Sequence, residues 1–180
     1  MATKKKDKNV RVEYNNIKEV SSVVSLRDVF LVSSHWESFL SLHSTGFESN
    51  NKFFNFKLLD ATWNFDVSSK TLDIQLTYQL IAEEKSEIKR QKSNVRLFEM
   101  QFGWLVVFSV PETFKPTKPK VMADFTVVNG QLNAFPYVRQ FVHEMTTRAG
   151  WPPLVLPTFL LPAHREAHLG SRRKATRRSK

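Results

Sequence analysis

The chain has 180 residues, 41% of them hydrophobic with 15 Phe and 4 Trp, which is enough apolar surface for one packed domain and too much for a disordered polymer. Its net charge of +10 comes from 27 Lys and Arg against 17 Asp and Glu, and no run approaches the roughly 18 uninterrupted apolar residues of a membrane-spanning helix. The absence of cysteine removes disulfides, thiolate catalysis and Cys-type zinc sites, and fits a reducing cytoplasm.

In chain order, residues 1–12 read as a disordered basic arm in which Lys4, Lys5, Lys6 and Lys8 face only Asp7. No apolar segment follows this basic start, so it does not read as a secretory signal. Val20 to Ser44 is dense in apolar residues of mixed period. Val23, Leu26 and Phe30 fit helical spacing, whereas Ser21-Ser-Val-Val-Ser suits a strand. The structure of residues 13–52 stays open, with a lean towards a short helix capped by Ser25. The middle of the chain reads as strands. Phe54, Phe56 and Leu58 alternate with Asn55 and Lys57, and Thr62 to Val67 forms a second stretch. Leu72, Ile74, Leu76, Tyr78 and Leu80 occupy one face of a half-buried third. Residues 83–94 read as a charged loop. A fourth strand begins near Val95, with Phe98, Met100 and Phe102 against Glu99 and Gln101, and becomes apolar on both faces from Trp104 to Val110.

Val110 to Lys120 is a Pro/Lys connector, and the clearest helix follows. Asn133 is placed to cap it, Pro136 suits a first turn and Gly150 suits its C-terminal end. Phe135, Val138, Phe141, Val142 and Met145 form one apolar stripe. Trp151-Pro-Pro-Leu-Val-Leu-Pro-Thr-Phe-Leu-Leu-Pro excludes a helix and favours an extended path. Residues 163–180 set Arg165, Arg172, Arg173, Lys174, Arg177, Arg178 and Lys180 against Glu166 and read as a basic, disordered tail. The ends hold nearly all the net charge, which leaves residues 9–164 near +1. This order predicts an α+β domain over residues 13–162: a four-stranded antiparallel sheet with helix packed on one face.

The chemistry of common active sites is missing. His35, His43, His143, His164 and His168 form no HExxH or other ligand spacing, so no metal site is expected. Five glycines include no phosphate-cradling loop, and no nucleophile-elbow sequence occurs. The expectation is a binding protein, not an enzyme, and one without cofactors. Its informative feature is the apolar surplus of residues 95–110. A four-stranded sheet with one helix covers one face only, so the other is covered by the N-terminal segment, or by another subunit or a client.

The segment from Asn133 to Phe159, with Phe135-Pro136-Tyr137-x-Arg139, Gly150 and the Pro-x-Leu-x-Leu-x-Pro-type run, resembles the first helix and following loop of the SecB export chaperones. Leu97-Phe-Glu-Met-Gln-Phe-Gly103 is similar to that family's glycine-bearing third strand, and the resemblance spans about residues 53–162. It implies a SecB-like fold assembled as a dimer of dimers, and an ATP-independent holdase that binds unfolded polypeptides in apolar grooves during protein export in the cytoplasm. Trp104, Phe108, Trp151, Leu154, Leu156 and Phe159 become candidate client-binding residues. Phe98, Met100 and Phe102 become candidate oligomer contacts, and Leu97 and Glu99 match positions that meet the motor ATPase SecA. The C terminus departs from the family, whose members are acidic there and carry a second helix. Two other roles follow from that departure. One is a SecB-like chaperone dedicated to one client such as an antitoxin. The other is a nucleic-acid or ribosome-associated protein acting non-specifically through its tails.

Overall fold

In the computed structural model, which describes residues 14–39, 52–88, 91–116 and 118–158, alternating apolar residues build one antiparallel sheet. Its strands are β1 (Ser25–Ser38), β2 (Lys52–Asp66), β3 (Thr71–Ile88) and β4 (Gln91–Ser109), in the order β1-β4-β3-β2. A short helix α1 (Tyr14–Ser21) precedes the sheet. After β4 the chain forms α2 (Pro119–Phe125), a π-helical turn over Thr126–Gly130 and α3 (Gln131–Arg148). These helices pack on one face of the sheet, here called the inner face. The expected α+β architecture is the observed one.

The central strands seal that layer. Leu72, Ile74, Leu76, Tyr78 and Leu80 of β3 lie beside Phe108, Val106, Trp104, Phe102 and Met100 of β4, and all ten are buried. From the helices, Met122, Phe125, Val128, Ala134, Val138 and Val142 enter the same core. The π turn brings Gly130 against β3, where a Cβ would stand 2.8 Å from Ile74 Cγ2. Gly150, at φ 77°, ends α3, and the amides of Gly150 and Trp151 donate to the carbonyls of Thr147 and Thr146 at 3.0 and 2.9 Å. That is the glycine-terminated helix end expected from sequence.

Four local expectations are corrected. Ser25 opens strand β1 and caps no helix; the N-terminal helix lies upstream, where Ile17 and Val20 reach the core. Residues 52–66 are one strand, not two, interrupted by a bulge at Leu59. The charged segment 83–94 continues β3 and β4 as a hairpin arm, in register from Glu83 opposite Arg96 to Ile88 opposite Gln91. Cross-strand pairing of opposite charges lets a polar sequence hold strand geometry. The main helical run starts at Pro119, not Asn133, so Asn133 and Pro136 are interior. Instead of capping a helix, Asn133 Nδ2 donates to the Asn129 carbonyl at 2.7 Å. The arm 1–12 and the tail 163–180 lie outside the described residues.

Candidate binding surface

Strand register fixes which side chains share the inner face. On β4 these are Phe98, Met100, Phe102, Trp104, Val106 and Phe108, and on the edge strand β2 they are Phe54, Phe56, Leu58, Ala61, Trp63 and Phe65. Both rows are apolar and aromatic, yet their burial differs sharply. Phe102 is 0% exposed, whereas Phe54 is 44% exposed and its five neighbours along β2 are half-buried.

Aromatic contacts tie the open row to the closed one. Phe56 stacks on Tyr78 at 5.4 Å and meets Phe135 of α3 edge-on at 6.2 Å. Phe65 meets Phe114 at 5.5 Å, and Phe54 lies 6.3 Å from Phe98. The β2 side chains thus form a shallow trough whose inner wall is held by rigid core rings and whose outer side ends at the open strand edge. Burial pushes the pKa of the Tyr78 hydroxyl upward at the base of this wall, which keeps it neutral. Its oxygen has no hydrogen-bond partner among the described residues.

The Pro-rich segment after α3 packs against the same end. Trp151 meets Phe98 edge-on at 5.0 Å with Lys52 over its ring at 5.9 Å. Thr146 Oγ1, which donates to the Val142 carbonyl at 2.9 Å, accepts the Leu154 amide at 3.1 Å. These contacts determine where the sequence-derived candidates lie. Trp104, Phe108, Trp151 and Leu156 are buried, Leu154 is half-buried, and Phe159 falls outside the described residues. Trp104 is capped by Tyr137 at 5.9 Å and Phe141 at 6.1 Å, so its ring is part of the packing beneath α3.

Phe98, Met100 and Phe102, the expected oligomer contacts, lie inside this chain's own core. All three are fully buried within this chain, Phe102 against Phe141 of α3 at 5.0 Å and Phe98 stacked on Trp36 of β1 at 4.5 Å. Leu97 is not on the opposite face. The ladder slips between Ala82 and Glu83, opposite Phe98 and Arg96, which makes Leu97 the extra residue of a bulge. It is fully buried in the core. Glu99 keeps its outer-face position, paired with Arg96 at 2.6 Å and accepting from Gln79 Nε2. The strand that carries both is the fourth, not the third. The sequence did not single out the half-open β2 aromatics, whose alternation was plain but whose position at a sheet edge was not.

The second edge, β1, is open on both faces. Leu26 and Leu31 on the inner side are 45% and 41% exposed, and Phe30 on the outer side is 49% exposed. Among the described residues no group of three or more His, Cys, Asp and Glu could hold a metal ion, and no helix is long and apolar enough to cross a membrane.

No protein-family model matches the sequence, and no curated protein matches it significantly. Among solved structures, the SecB-like chaperone Rv1957 of Mycobacterium tuberculosis matches with a TM-score of 0.63 at 13% identity, covering 81% of this chain and 97% of that one. The fold is SecB-like. That structure contains a bound peptide from the HigA1 antitoxin. A protein of unknown function from Streptococcus agalactiae is also similar, at 18% identity, with 75% of this chain and 97% of that one covered and a TM-score of 0.33. Among the described residues, most of the exposed large apolar side chains of the sheet lie on β1 and β2.

Proposed function

We propose that this chain is an ATP-independent holdase that binds extended, non-native polypeptide segments along β2 and keeps them from aggregating. One observation carries the reading: the aromatic row of Phe54, Phe56, Leu58, Trp63 and Phe65 stays half open beside a sealed core. Apolar contact is non-directional, so such a trough accepts many sequences. An ordered client segment needs on the order of 1,000 Å² of burial to offset its lost freedom, and the 15-residue length of β2 offers an extended surface for it. The SecB-like fold supports the reading, and a cytoplasmic location belongs to the same proposal.

The test is light scattering from a chemically unfolded model protein, with and without this chain and without nucleotide. Suppression should persist at high salt and weaken for Phe54→Ser combined with Trp63→Ser. Suppression that disappears in salt would move the activity to the basic tails and a nucleic-acid or ribosome-associated role. A chaperone dedicated to one client is the second reading, favoured by the antitoxin peptide bound to the Mycobacterium structure. Strong protection of one partner without protection of generic unfolded chains distinguishes it.

Homo-oligomerisation belongs to the same proposal. A 14-residue edge strand exposing Leu26, Phe30, Leu31 and Val32 is a pairing template that proteins usually blunt or cover. A second copy of β1, running antiparallel, completes its open backbone edge and sets the two copies' apolar rows side by side in a closed isologous contact. Phe30→Lys with Leu31→Lys should give monomers in light scattering while Phe54→Ser does not. A SecA contact through the outer face would rest on Glu99 without its apolar neighbour, since Leu97 is sealed.

A further inference from the structure

The outer face of the sheet has no layer of its own among the described residues, and its polar groups are biased towards acceptors. Register places Asp28, Val107, Asp73 and Asn64 in one row across the four strands, and Ser33, Gly103, Thr77 and Asp60 in another. A third row holds Glu37 beside Glu99. Arg27 lies 3.5 Å from Asp28 and Arg96 2.6 Å from Glu99, but Asp60, Asp73 and Glu37 have no cationic partner among the described residues. Asp73 Oδ1 and Gln79 Oε1, both on this face, are shielded acceptors to which no described group donates. Register also sets Lys57 on this face, opposite Gln79, and Asp60, Asp73 and Glu37 remain the carboxylates it offers to a cationic segment.

The same chain carries such a segment elsewhere in its sequence. The described residues contain as many acidic as basic side chains, so the whole net charge of +10 belongs to the remainder. Its densest part is Ser171-Arg-Arg-Lys-Ala-Thr-Arg-Arg-Ser-Lys180, with six cations and no acid. Leu156 is anchored in the inner core, and Thr158 is the last described residue. From Thr158 to Arg172 the chain can reach about 45 Å when extended, and a four-stranded sheet is only about 15 Å wide. The tail is long enough to pass round the β2 edge.

We propose that the outer face of the sheet is the docking surface for this chain's own C-terminal segment, residues 171–180, with its arginines bound to Asp60 and Asp73. Planar guanidinium groups donate to carboxylates in pairs, which suits a face rich in unsatisfied acceptors. The contact is electrostatic and superficial, so it screens with salt and adds little to folding stability. It uses the face opposite the β2 trough and stands whether or not that trough binds clients.

A fluorescently labelled peptide of residues 171–180 tests the proposal by anisotropy against two forms of the protein, the full chain and a chain ending at Gly170. The peptide should bind the shortened chain and lose about ten-fold or more in affinity between low and high salt. The full chain should bind it at least about ten-fold more weakly, because the tethered segment occupies the face at high effective concentration. Replacing Arg172, Arg173 and Lys174 by Glu in the full chain should restore peptide binding. Asp60→Asn with Asp73→Asn in the shortened chain should abolish it, with circular dichroism confirming the fold. Equal binding to both chains, or affinity unchanged by the two Asn substitutions, overturns the proposal. So does a peptide that binds polyuridine RNA but not the shortened chain, which assigns the tail to nucleic acid.

Discussion

Strands β4 and β2 carry almost the same inner-face chemistry and are buried to very different degrees. Phe98, Met100, Phe102 and Trp104 on β4 are roofed by α3 and the segment after it, whereas Phe54, Phe56, Leu58 and Trp63 on β2 are only half roofed. Position in the sheet decides this. Hydrogen-bonded neighbours flank β4 on both sides, so its side chains sit under the centre of the helix layer. β2 is an edge, touched along part of its length by the π turn, α2 and Phe135. The lesson is that an apolar stripe becomes a sealed core or a half-open surface according to what lies over it, and composition alone does not separate the two.

The largest effect expected from that contrast comes from the sealed strand. Phe102→Ala should cost about 3–5 kcal/mol, the range for removing a fully buried ring whose site cannot collapse. Because Phe102 packs inside one chain, the denaturant midpoint should shift equally at low and high protein concentration. A shift that shrinks as concentration rises would return Phe102 to a subunit interface. The segment after α3 comes next. Trp151→Ala should cost about 3 kcal/mol, because its ring is buried edge-on to Phe98. A Trp151 variant that keeps full stability but loses holdase activity would make that segment a movable cover instead of fixed packing.

The open strand should respond in the opposite sense. Phe54→Ser removes a ring that is already 44% exposed, at a cost of about 1 kcal/mol, and should lower suppression of aggregation at least about two-fold. Stability and activity are read on the same samples, by denaturant unfolding and light scattering. A loss of stability as large as that of Phe102→Ala would erase the distinction between the two strands.

Several of these distinctions were legible in the sequence, and the others were hidden for identifiable reasons. The run from Leu72 to Leu80 was readable because one face is buried and the other polar, so alternation survives intact. β1 was not, because it is apolar on both exposed sides and slips register near Arg27 and near Val32, which breaks the period of two. The bulge at Leu97 turned the candidate surface pair Leu97 and Glu99 into one core residue and one surface residue. A bulge has no signature in a single sequence when both flanking residues are apolar or charged. The start of the helical layer was obscured by the π turn, which shifts the apolar stripe between Phe125 and Phe135 out of a single 3.6-residue period. The aromatic row of β2 was visible as a strand face, but an edge position is a property of topology, which alternation does not encode.

The smallest expected effect concerns the turn that joins the open strand β2 to its neighbour β3. Asp66 ends β2, and its Oδ1 accepts from the Ser68 amide at 2.8 Å, the Ser68 hydroxyl at 2.6 Å and the Ser69 amide at 3.4 Å. The Ser68 and Ser69 donors favour the carboxylate and lower its pKa from 3.8 to about 2. A depressed carboxyl contributes stability that is present above the unfolded value and lost as the pH falls through the folded one. The turn should therefore hold unchanged from neutrality down to about pH 4 and loosen between pH 4 and pH 2. It fixes the register in which Phe65 lies beside Leu72 and Trp63 beside Ile74, so loosening should appear first on β2 and leave β4 intact. Carboxyl-carbon NMR titration of Asp66 should give a midpoint near 2, and the amides of β2 should exchange faster than those of β4 below pH 4. A midpoint at 3.8 or above would show that the serines do not hold the carboxylate, and the alignment of the open row with the core would then depend on the aromatic contacts of Phe56 and Phe65 alone.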